Sequence, residues 1–539
     1  MRRLPFFLRV WAGRRRPRGS YEVRRETAVP VPGADGSILL TDHYAPVTDR
    51  EVPTLLVRST YGRGFPWNLL YGVRFAEQGF HVVLQSPRGT GGSEGDFHFW
   101  RHHAEDGNAT VDWLRKQQWF TGALGTAGPS HLAYVQWALA LDPPPELRAA
   151  TMQVPIHDPY DALHPGGQCA FNLELGLVSG AILLNRGAGT AGYTRAVLRL
   201  LRHLRRVVRA VPLLDSYRRA FGGRRQEFED WLTHPYPDDP FWAGADAGAA
   251  ADRLTAPVAL ATGWHDLALD QTLRQYARLR RAGRTPGLLI GPWTHSSALE
   301  EGWNEVFADA VAHLRAHLGD GPERPGRVRV HIGGEWRELP DWPPPSAPTR
   351  YHLGDGGELH AGGPGDDART TFRYDPRHPT PSLGGQGQSR PGGAVDNRRL
   401  EARPDVRTFT TAPLDEAVEV IGHVAADLHV GGSTGHFDVF ARLCDVAPDG
   451  RSVNVCDGLV RLTPDHHDGD PVRVELSAAG HRFAPGHRIR LQVSGGAHPR
   501  RLRNYGTGEP AATATRLVAS DTTVHHGRTR PSALVLPVV

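Results

Sequence analysis

The sequence predicts a two-part protein in which a parallel α/β sheet, interrupted by a helical insertion, is followed by an all-β domain. The first part is predicted by continuous apolar runs, typical of strands buried on both faces, that alternate with amphipathic segments of helical length. The second part is predicted by regular short strands with turn signals after about residue 405. The chain has 539 residues, of which 39% are hydrophobic and 22% charged, so it can bury large cores and excludes disorder, collagen and coiled coil as its main state.

The elements of the first part follow a basic N-terminal tail, residues 1–25. Short strands are predicted between about 22 and 45, with turns at Pro32-Gly33 and Asp35-Gly36. The buried strands that follow are predicted over 54–57, 80–84, 123–127, 149–154, 257–262 and 287–290. Helices are predicted over 67–78, 104–118 and 131–141.

The alternation stops at residues 155–253, which are predicted to form a helical cap inserted between core strands. Inside it, apolar spacing predicts a helix over 193–210 with an arginine-rich outer face, which a solvated surface explains better than nucleic-acid binding. A long irregular connection over 355–400 leads into strands predicted at 417–422, 437–443, 472–476 and 488–493. The predicted domains are a catalytic domain over 26–154 and 254–345, the cap over 155–253, and an all-β domain with its leading linker over 346–539.

Composition limits the partners and the compartment. The net charge of +4 is too small to argue for nucleic acid, and three cysteines without metal-type spacing indicate a reducing compartment, the cytoplasm. The apolar stretch 4–12 is too short for a membrane-spanning helix. We expect no cofactor and no metal, because the His/Asp/Glu clusters at 102–106 and 465–468 lack the spacing of common metal sites.

The most informative stretch is the transition from strand 123–127 to helix 131–141. A serine on a sharp strand-to-helix turn projects its hydroxyl above the edge of the sheet, and Ser130 occupies that position. Gly128 lets the turn close, although the motif is imperfect because the second glycine of the usual pentapeptide is missing. The sequence therefore predicts Ser130 as a nucleophile.

Two further strand ends carry partners for a nucleophilic serine. Asp266 follows strand 257–262 and His295 follows strand 287–290, and ligands of open α/β sheets gather at the carboxyl ends of strands. The chain order Ser, Asp, His is that of α/β-hydrolases. His295 would accept the serine proton and Asp266 would orient the imidazole. His265 is a weaker alternative for the base, because it is adjacent to the aspartate in sequence.

The same chemistry needs two donors for an oxyanion. One is expected from the backbone N–H of His131, the residue after the nucleophile. The other is expected from the loop after strand 54–57, where Tyr61 could donate its hydroxyl. A glycine-rich loop at 89–95 is predicted to line the cleft, since the lysine of a phosphate-binding loop is missing.

Motifs along most of the chain resemble the Xaa-Pro dipeptidyl-peptidase-like (peptidase S15) hydrolases, also called the CocE/NonD family. The resemblance covers roughly residues 28–515. The motifs are RSTYG (58–62), SPRGTGGSEG (86–95), EDG (105–107), DWL (112–114), GPSH (128–131), GWHD (263–266), GPWTH (291–295), YDP (374–376), DVAPDG (445–450), DGLVR (457–461) and GHRIR (486–490).

The resemblance implies an α/β-hydrolase core with an inserted helical cap and a C-terminal jelly roll like galactose-binding folds. It implies Ser130, Asp266 and His295 as the triad of a serine hydrolase and Tyr61 as the oxyanion-hole tyrosine. The chain differs from the family at His131, commonly tyrosine, and at Ala268, aromatic in some members.

The substrate expected on this basis is a small ester, amide or short peptide. Esterase, acylase and dipeptidyl-peptidase stay open, and a homodimer is compatible with the sequence. A dipeptidase would need carboxylates for the substrate amine, for which the cap offers Glu174, Asp215, Glu227, Glu229 and Asp230. The alternative is a non-catalytic binding protein that uses its jelly roll to contact a partner or a sugar.

Overall fold

A computed structural model describes residues 19–171 and 207–539, apart from positions 222, 225, 320, 323, 325, 390 and 391. The helix predicted over 193–210 lies mostly outside these residues, and positions 207–209 are helical. The acidic residue Glu174 also lies outside the described residues.

The first part of the chain is built on one mixed sheet of ten strands. In chain order these are β1 (Val23–Pro32), β2 (Ile38–Pro46), β3 (Thr54–Arg58), β4 (His81–Gln85), β5 (Leu124–Pro129), β6 (Leu147–Gln153), β7 (Val258–His265), β8 (Gly287–Thr294), β9 (Val328–Ile332) and β10 (Glu335–Leu339). Their spatial order is β1-β2-β4-β3-β5-β6-β7-β8-β9-β10. Neighbours from β4 to β9 run parallel, whereas β1, β2 and β10 pair antiparallel at the two edges. This sheet confirms the predicted α/β class, and all six predicted core strands are present.

Most helices lie between these strands in the chain, and one short helix follows in the second part. They are a π-helical turn (Asn68–Val73) continued by α1 (Arg74–Ala76), then α2 (His103–Leu114), α3 (His131–Leu139), α4 (Pro159–Leu163), α5 (Leu213–Phe221), α6 (Gln226–Thr233), α7 (Ala250–Arg253), α8 (Leu269–Arg281), α9 (Trp303–Leu318) and the later α10 (Arg398–Glu401). Helix α3 is buried along its whole length, so the helix that follows Ser130 is sequestered in the core. Helices α4 to α7 belong to the insertion between β6 and β7. Among the described residues, no helix combines the length and the apolar composition that a membrane crossing requires.

The second part is a sandwich of two sheets in which every pair of strands is antiparallel. One sheet contains β11 (Ala347–Leu353), β12 (Leu359–His360), β13 (Ala368–Tyr374), β15 (Val418–Gly432), β18 (Asp470–Phe483), β20 (Ser520–His526) and β21 (Ala533–Val538). The other contains β14 (Val406–Thr410), β16 (Phe437–Val446), β17 (Ser452–Leu462) and β19 (Arg488–Ser494). The predicted all-β class is confirmed.

Two expectations about the second part are corrected. Its strands are not uniformly short, since β15 has 15 residues and β18 has 14 and the two pair along most of their length. The connection over 355–400 is not wholly irregular, because it contains β13, in which Phe372 and Tyr374 are buried and the residues between and before them are more exposed.

The two parts share one hydrophobic cluster. Trp264, at the end of β7, and Trp342 lie with their ring centroids 5.7 Å apart and pack with Ile421 and Ala478 of the sandwich. A Cβ atom at Gly480 would come within 2.3 Å of the Trp264 ring, so glycine allows this close approach. The end of β7, which precedes Asp266, is thereby held against the second part.

Candidate active site

Ser130 lies between the last residue of β5 and the first residue of α3, in a backbone conformation with φ 54° and ψ −120°. Such a conformation costs a non-glycine residue about 1–3 kcal/mol and occurs mainly where the surroundings enforce it. The Ser130 N–H donates to the Gln153 carbonyl of β6 at 2.8 Å, while its carbonyl accepts from Ala133 at 2.9 Å and Tyr134 at 3.0 Å. These bonds fix the turn and leave the hydroxyl free to point above the sheet.

Gly128 is the residue that allows this turn to pack. Its φ is 151°, and a Cβ atom there would lie 2.5 Å from the Cβ of Leu132 on α3. The strand and the helix therefore approach more closely than any side chain at position 128 would permit. The sequence prediction that glycine closes this turn is consistent with these distances.

Ser130, His295 and Asp266 are brought together by the ends of β5, β8 and β7. The Ser130 Oγ lies 2.8 Å from His295 Nε2, and His295 Nδ1 lies 2.7 Å from Asp266 Oδ1. Asp266 is fully buried and also accepts hydrogen bonds from the Thr262 hydroxyl at 2.7 Å and the Ala268 N–H at 3.0 Å. The carboxylate thus has a fixed orientation toward the imidazole.

The alternative base, His265, is directed elsewhere. Its ring lies near Asp457 and Arg442 of the sandwich, and burial lowers the pKa of His265 to about 4, with Asp457 acting weakly in the opposite direction. Among the described contacts, His265 makes none with Ser130. The histidine that lies within hydrogen-bonding distance of the serine is His295.

The Tyr61 side chain and the His131 backbone also lie beside Ser130. The Tyr61 hydroxyl interacts with the Ser130 side chain and with the backbone N–H of His131, while burial raises the pKa of Tyr61 above its ordinary value. The phenol therefore remains a protonated donor at neutral pH. Its ring stacks on Trp67 with centroids 5.2 Å apart, which fixes its direction.

The His131 side chain points away from the serine, in contrast to its backbone. Its Nε2 lies 2.6 Å from the Phe99 carbonyl and its Nδ1 lies 3.4 Å from the Thr60 hydroxyl. Burial lowers the pKa of His131 to about 4, so the imidazole is neutral at physiological pH. The His131 side chain thus connects the loop that contains Thr60 and Tyr61 to the segment at 97–100.

The loops of Asp266 and His295 are held by a segment that carries no catalytic motif in the sequence. The Gly387 carbonyl accepts from the His295 N–H at 3.1 Å, the Gln388 carbonyl accepts from the Ser296 N–H at 2.7 Å, and the Gly387 N–H donates to the His265 carbonyl at 3.0 Å. We call residues 384–389 the strap. The signal for a tight turn here in the sequence was the glycine pair Gly384-Gly385, and both residues have positive φ in the structure, 66° and 80°.

The glycine-rich loop at 89–95 is attached mainly to β2. The Glu94 N–H donates to the Ile38 carbonyl at 2.9 Å, and the Arg63 guanidinium donates to the Gly91 carbonyl at 3.0 Å. The segment that reaches the site is the one after it, through the contact of Phe99 with His131. The prediction that the glycines themselves line the cleft therefore stays a prediction.

The two candidate metal clusters have other partners. His103 Nε2 lies 3.0 Å from the Phe99 carbonyl, and Asp106 accepts from Arg88 at 2.7 Å. In the second cluster, His466 Nε2 lies 3.0 Å from the Val430 carbonyl. Within the described part of the chain, no three His, Cys, Asp or Glu side chains form a group that could hold a metal ion.

The chain matches two sequence profiles and a curated relative over most of its length. Residues 35–297 match the X-Pro dipeptidyl-peptidase (S15 family) profile, and residues 320–535 match that of the X-Pro dipeptidyl-peptidase C-terminal non-catalytic domain. Cocaine esterase of Rhodococcus sp. (strain MB1 Bresler) is 30% identical, with 97% of this chain and 99% of that protein covered. The chain belongs to the S15 family of hydrolases. The resemblance noted from the sequence motifs is thereby confirmed.

Solved structures agree with this S15 family fold over both parts of the chain. An α-amino acid ester hydrolase is similar with a TM-score of 0.82 and 21% identity, over 96% of this chain and 97% of that one. An aminopeptidase from the marine sediment archaeon Thaumarchaeota archaeon is similar with a TM-score of 0.81 and 20% identity, over 97% of both chains. At these identities the likeness supports the fold and does not identify a substrate.

Proposed function

We propose that this S15 family hydrolase is a serine esterase in which Ser130 is the nucleophile, His295 the general base and Asp266 the residue that orients the base. The observation that carries the proposal is the hydrogen-bonded series from Ser130 Oγ to His295 Nε2, at 2.8 Å, and from His295 Nδ1 to Asp266, at 2.7 Å. A serine hydroxyl is a weak nucleophile unless a base accepts its proton. This series supplies the base and fixes its tautomer.

The reaction would proceed in two displacement steps. In the first, Ser130 Oγ bonds to the ester carbonyl carbon while its proton passes to His295 Nε2. The tetrahedral intermediate then collapses, the bond to the alcohol oxygen breaks, and the imidazolium protonates the departing alcohol. In the second, His295 accepts a proton from water, the hydroxide adds to the acyl carbon, and collapse returns the proton to Ser130 Oγ with release of the acid.

The negative charge on the carbonyl oxygen would be stabilised by the Tyr61 hydroxyl and the His131 N–H. Both groups lie beside Ser130 and interact with each other in the free enzyme. Preorganised donors of this kind act where charge develops in the transition state, and one donor contributes about 2.7–4 kcal/mol. The oxyanion would replace the Tyr61–Ser130 and Tyr61–His131 contacts with two hydrogen bonds of its own.

An ester is favoured over an Xaa-Pro peptide for two reasons. The curated relative at 30% identity is named an esterase. In addition, two of the cap carboxylates considered for binding a substrate amine are engaged elsewhere: Glu229 pairs with Arg218 at 2.8 Å, and Asp230 accepts from Gln226 at 2.6 Å. The alternative of a non-catalytic binding protein is not retained, because the family assignment makes this chain a hydrolase.

The experiment combines active-site labelling with a substrate panel. A fluorophosphonate probe should label Ser130, and Ser130→Ala should lose both labelling and turnover while keeping the unfolding midpoint of the wild type. His295→Ala should lower kcat strongly and add little to Ser130→Ala, because members of a triad act as a unit. Ser346, an exposed serine of the second part, offers the matched control Ser346→Ala, which should keep full labelling and activity.

The panel would contain aryl esters, acyl amides and Xaa-Pro aryl amides. The proposal predicts the highest kcat/KM on aryl esters. Faster turnover of Xaa-Pro amides would reassign the enzyme as a dipeptidyl-peptidase with the same nucleophile. Labelling of another serine, with full activity in Ser130→Ala, would overturn the nucleophile itself.

A further inference from the structure

A large cavity lies where the cap, the catalytic part and the sandwich meet. Its volume is about 730 Å³, within the range of roughly 300–1,000 Å³ found for small-molecule sites. Ser130 is not among its lining residues, but Leu267, next to Asp266, and the strap residues Gly387 and Gln388 are. The cavity thus adjoins the Asp266 loop and the strap that holds the His295 loop, and Ser130 lies outside its lining.

Arg501 contributes a positive charge to this cavity, and no carboxylate of the described residues pairs with it directly, since Asp457, Asp161 and Asp270 act on it only from farther away. Its side chain donates to the Pro165 carbonyl at 3.3 Å, and within the described residues no carboxylate lies at ion-pair distance. The neighbouring Arg274 and Arg500, by contrast, pair with Asp161 and Asp457. Burial lowers the pKa of Arg501 to about 10, so it stays charged at neutral pH. Arg501 is half-buried, and a partly desolvated charge without a direct partner favours the binding of an anionic group.

Asp270 contributes the opposite charge to the same cavity. It lies in the first turn of α8 and accepts a hydrogen bond from the Gln386 side chain at 3.3 Å. No cationic side chain of the described residues lies at ion-pair distance from it, although Arg274 acts on it from farther away, and burial raises the pKa of Asp270 above its ordinary value. Since Asp270 and Arg501 do not pair with each other, a ligand could satisfy both only if it carried both charges.

We propose that this cavity binds a small zwitterion, an α-amino acid or a short peptide, with its carboxylate on Arg501 and its ammonium on Asp270. A simple anion would leave Asp270 without a partner, and a simple amine would leave Arg501 without one. Leu267, Leu459 and Val460 add an apolar wall that suits an aliphatic side chain. Such a ligand could be a part of the substrate or product, or it could be a separate effector. In both cases it would carry the same carboxylate and ammonium groups.

The test uses three probes that differ only in charge: L-leucine, 4-methylpentanoate and 3-methylbutylamine. Isothermal titration calorimetry on the intact enzyme should show leucine binding at least about tenfold more tightly than either singly charged analogue. Because calorimetry needs no turnover, its result does not depend on the proposed role of Ser130. No binding of leucine, or equal binding of all three probes, would overturn the proposal.

Variants assign the two contacts. Arg501→Gln and Asp270→Asn should each weaken leucine binding at least about tenfold, whereas Arg501→Lys, which keeps the charge, should lose less. Arg528→Gln is the matched control, because Arg528 pairs with Asp366 at the exposed surface. Unfolding curves would verify that each variant is folded. Wild-type leucine affinity in folded Arg501→Gln or in folded Asp270→Asn would contradict the site.

The source of the ligand follows from inhibition of aryl-ester hydrolysis by leucine. A rise of the apparent KM alone identifies a site for part of the substrate or product. Any other response in the presence of calorimetric binding identifies a separate effector.

Discussion

Three histidines, His131, His265 and His295, lie at or just after the ends of the core strands β5, β7 and β8, and their surroundings give them different properties. His295 has its two ring nitrogens at 2.8 Å from Ser130 and 2.7 Å from Asp266. His131 and His265 are instead neutral imidazoles whose pKa burial lowers to about 4. The residue type alone did not distinguish them, whereas their hydrogen-bond partners do.

Tyr61→Phe tests the oxyanion role at the level of one oxygen atom. The substitution keeps the ring that stacks on Trp67 and removes the hydroxyl beside Ser130 and His131. We expect kcat to fall about 10²–10³-fold with KM little changed, measured by steady-state kinetics on an aryl ester.

Tyr276→Phe is the matched control for that measurement. The Tyr276 hydroxyl donates to Asp341 at 2.7 Å, away from the site. Its loss should lower the free energy of unfolding by about 1–3 kcal/mol and leave kcat unchanged. If Tyr61→Phe behaved like this control, both oxyanion donors would have to be backbone amides.

At the scale of elements, the turn between β5 and α3 depends on the absence of a side chain at position 128. In Gly128→Ala the new Cβ would meet Leu132 at 2.5 Å, and the φ of 151° is unfavourable for alanine. We expect the free energy of unfolding to fall by about 1–3 kcal/mol or more, measured by denaturant unfolding. The penalty should be smaller in a Leu132→Ala background. Gly363→Ala, where a Cβ would meet no atom within 4 Å, should be nearly neutral.

The sequence predicted the strand ends and the residues that follow them because these depend on local patterns. A buried apolar run and the polar residue after it are neighbours in the chain, so Ser130, Asp266 and His295 could be assigned to one edge of a sheet. The strap could not be found this way, since Gly387 meets His265 and His295 through a tertiary contact without a periodic signal. Strand β13 was missed because glycine and proline dominate the sequence around it.

The strap gives a prediction of its own. Gly387→Pro would remove the N–H that donates to the His265 carbonyl at 3.0 Å and disturb the carbonyl that accepts from His295. We expect kcat to fall at least about tenfold, since small displacements of catalytic groups reduce rates steeply. Gly387→Ala is the control, because its Cβ would lie 3.4 Å from the nearest atom, an ordinary contact. Equal kinetics of the two variants would show that the strap does not position His295.

At the scale of the whole molecule, the catalytic part and the sandwich form a joint structure around the end of β7. Trp264 packs into the sandwich, and the strap, which precedes the strands of that sandwich's smaller sheet, binds the loops of Asp266 and His295. We therefore propose that the second part, although its profile is named non-catalytic, is needed to hold the geometry of the site. The division into a catalytic domain, a cap and a jelly roll remains a proposal about folding units.

Buried histidines in both parts make the whole fold sensitive to acid. His43 and His81 share a 3.0 Å hydrogen bond between their rings, and burial lowers the pKa of each to about 4. The unfolded chain, whose imidazoles titrate near 6.5, binds more protons than the folded one between about pH 4 and 6.5. The contribution of these neutral imidazoles to the free energy of unfolding is therefore fully present above about pH 6.5 and is lost as the pH falls. For each imidazole the loss is up to about 1.4 kcal/mol per unit of pKa difference between the folded and the unfolded chain.

Urea unfolding between pH 4 and 8 tests this sign. The free energy of unfolding should decrease steadily below about pH 6.5. His43→Gln should make that decrease less steep, because it removes one of the two buried imidazoles and the ring that contacts His81. The matched control is His378→Gln, since the His378 side chain is 83% exposed and its removal should leave the slope unchanged. A wild-type stability that stays constant down to pH 4 would mean that these imidazoles gain protons without opening the core. The charges would then have to be solvated where they lie, between β2, β4 and the stacked ring of Trp119.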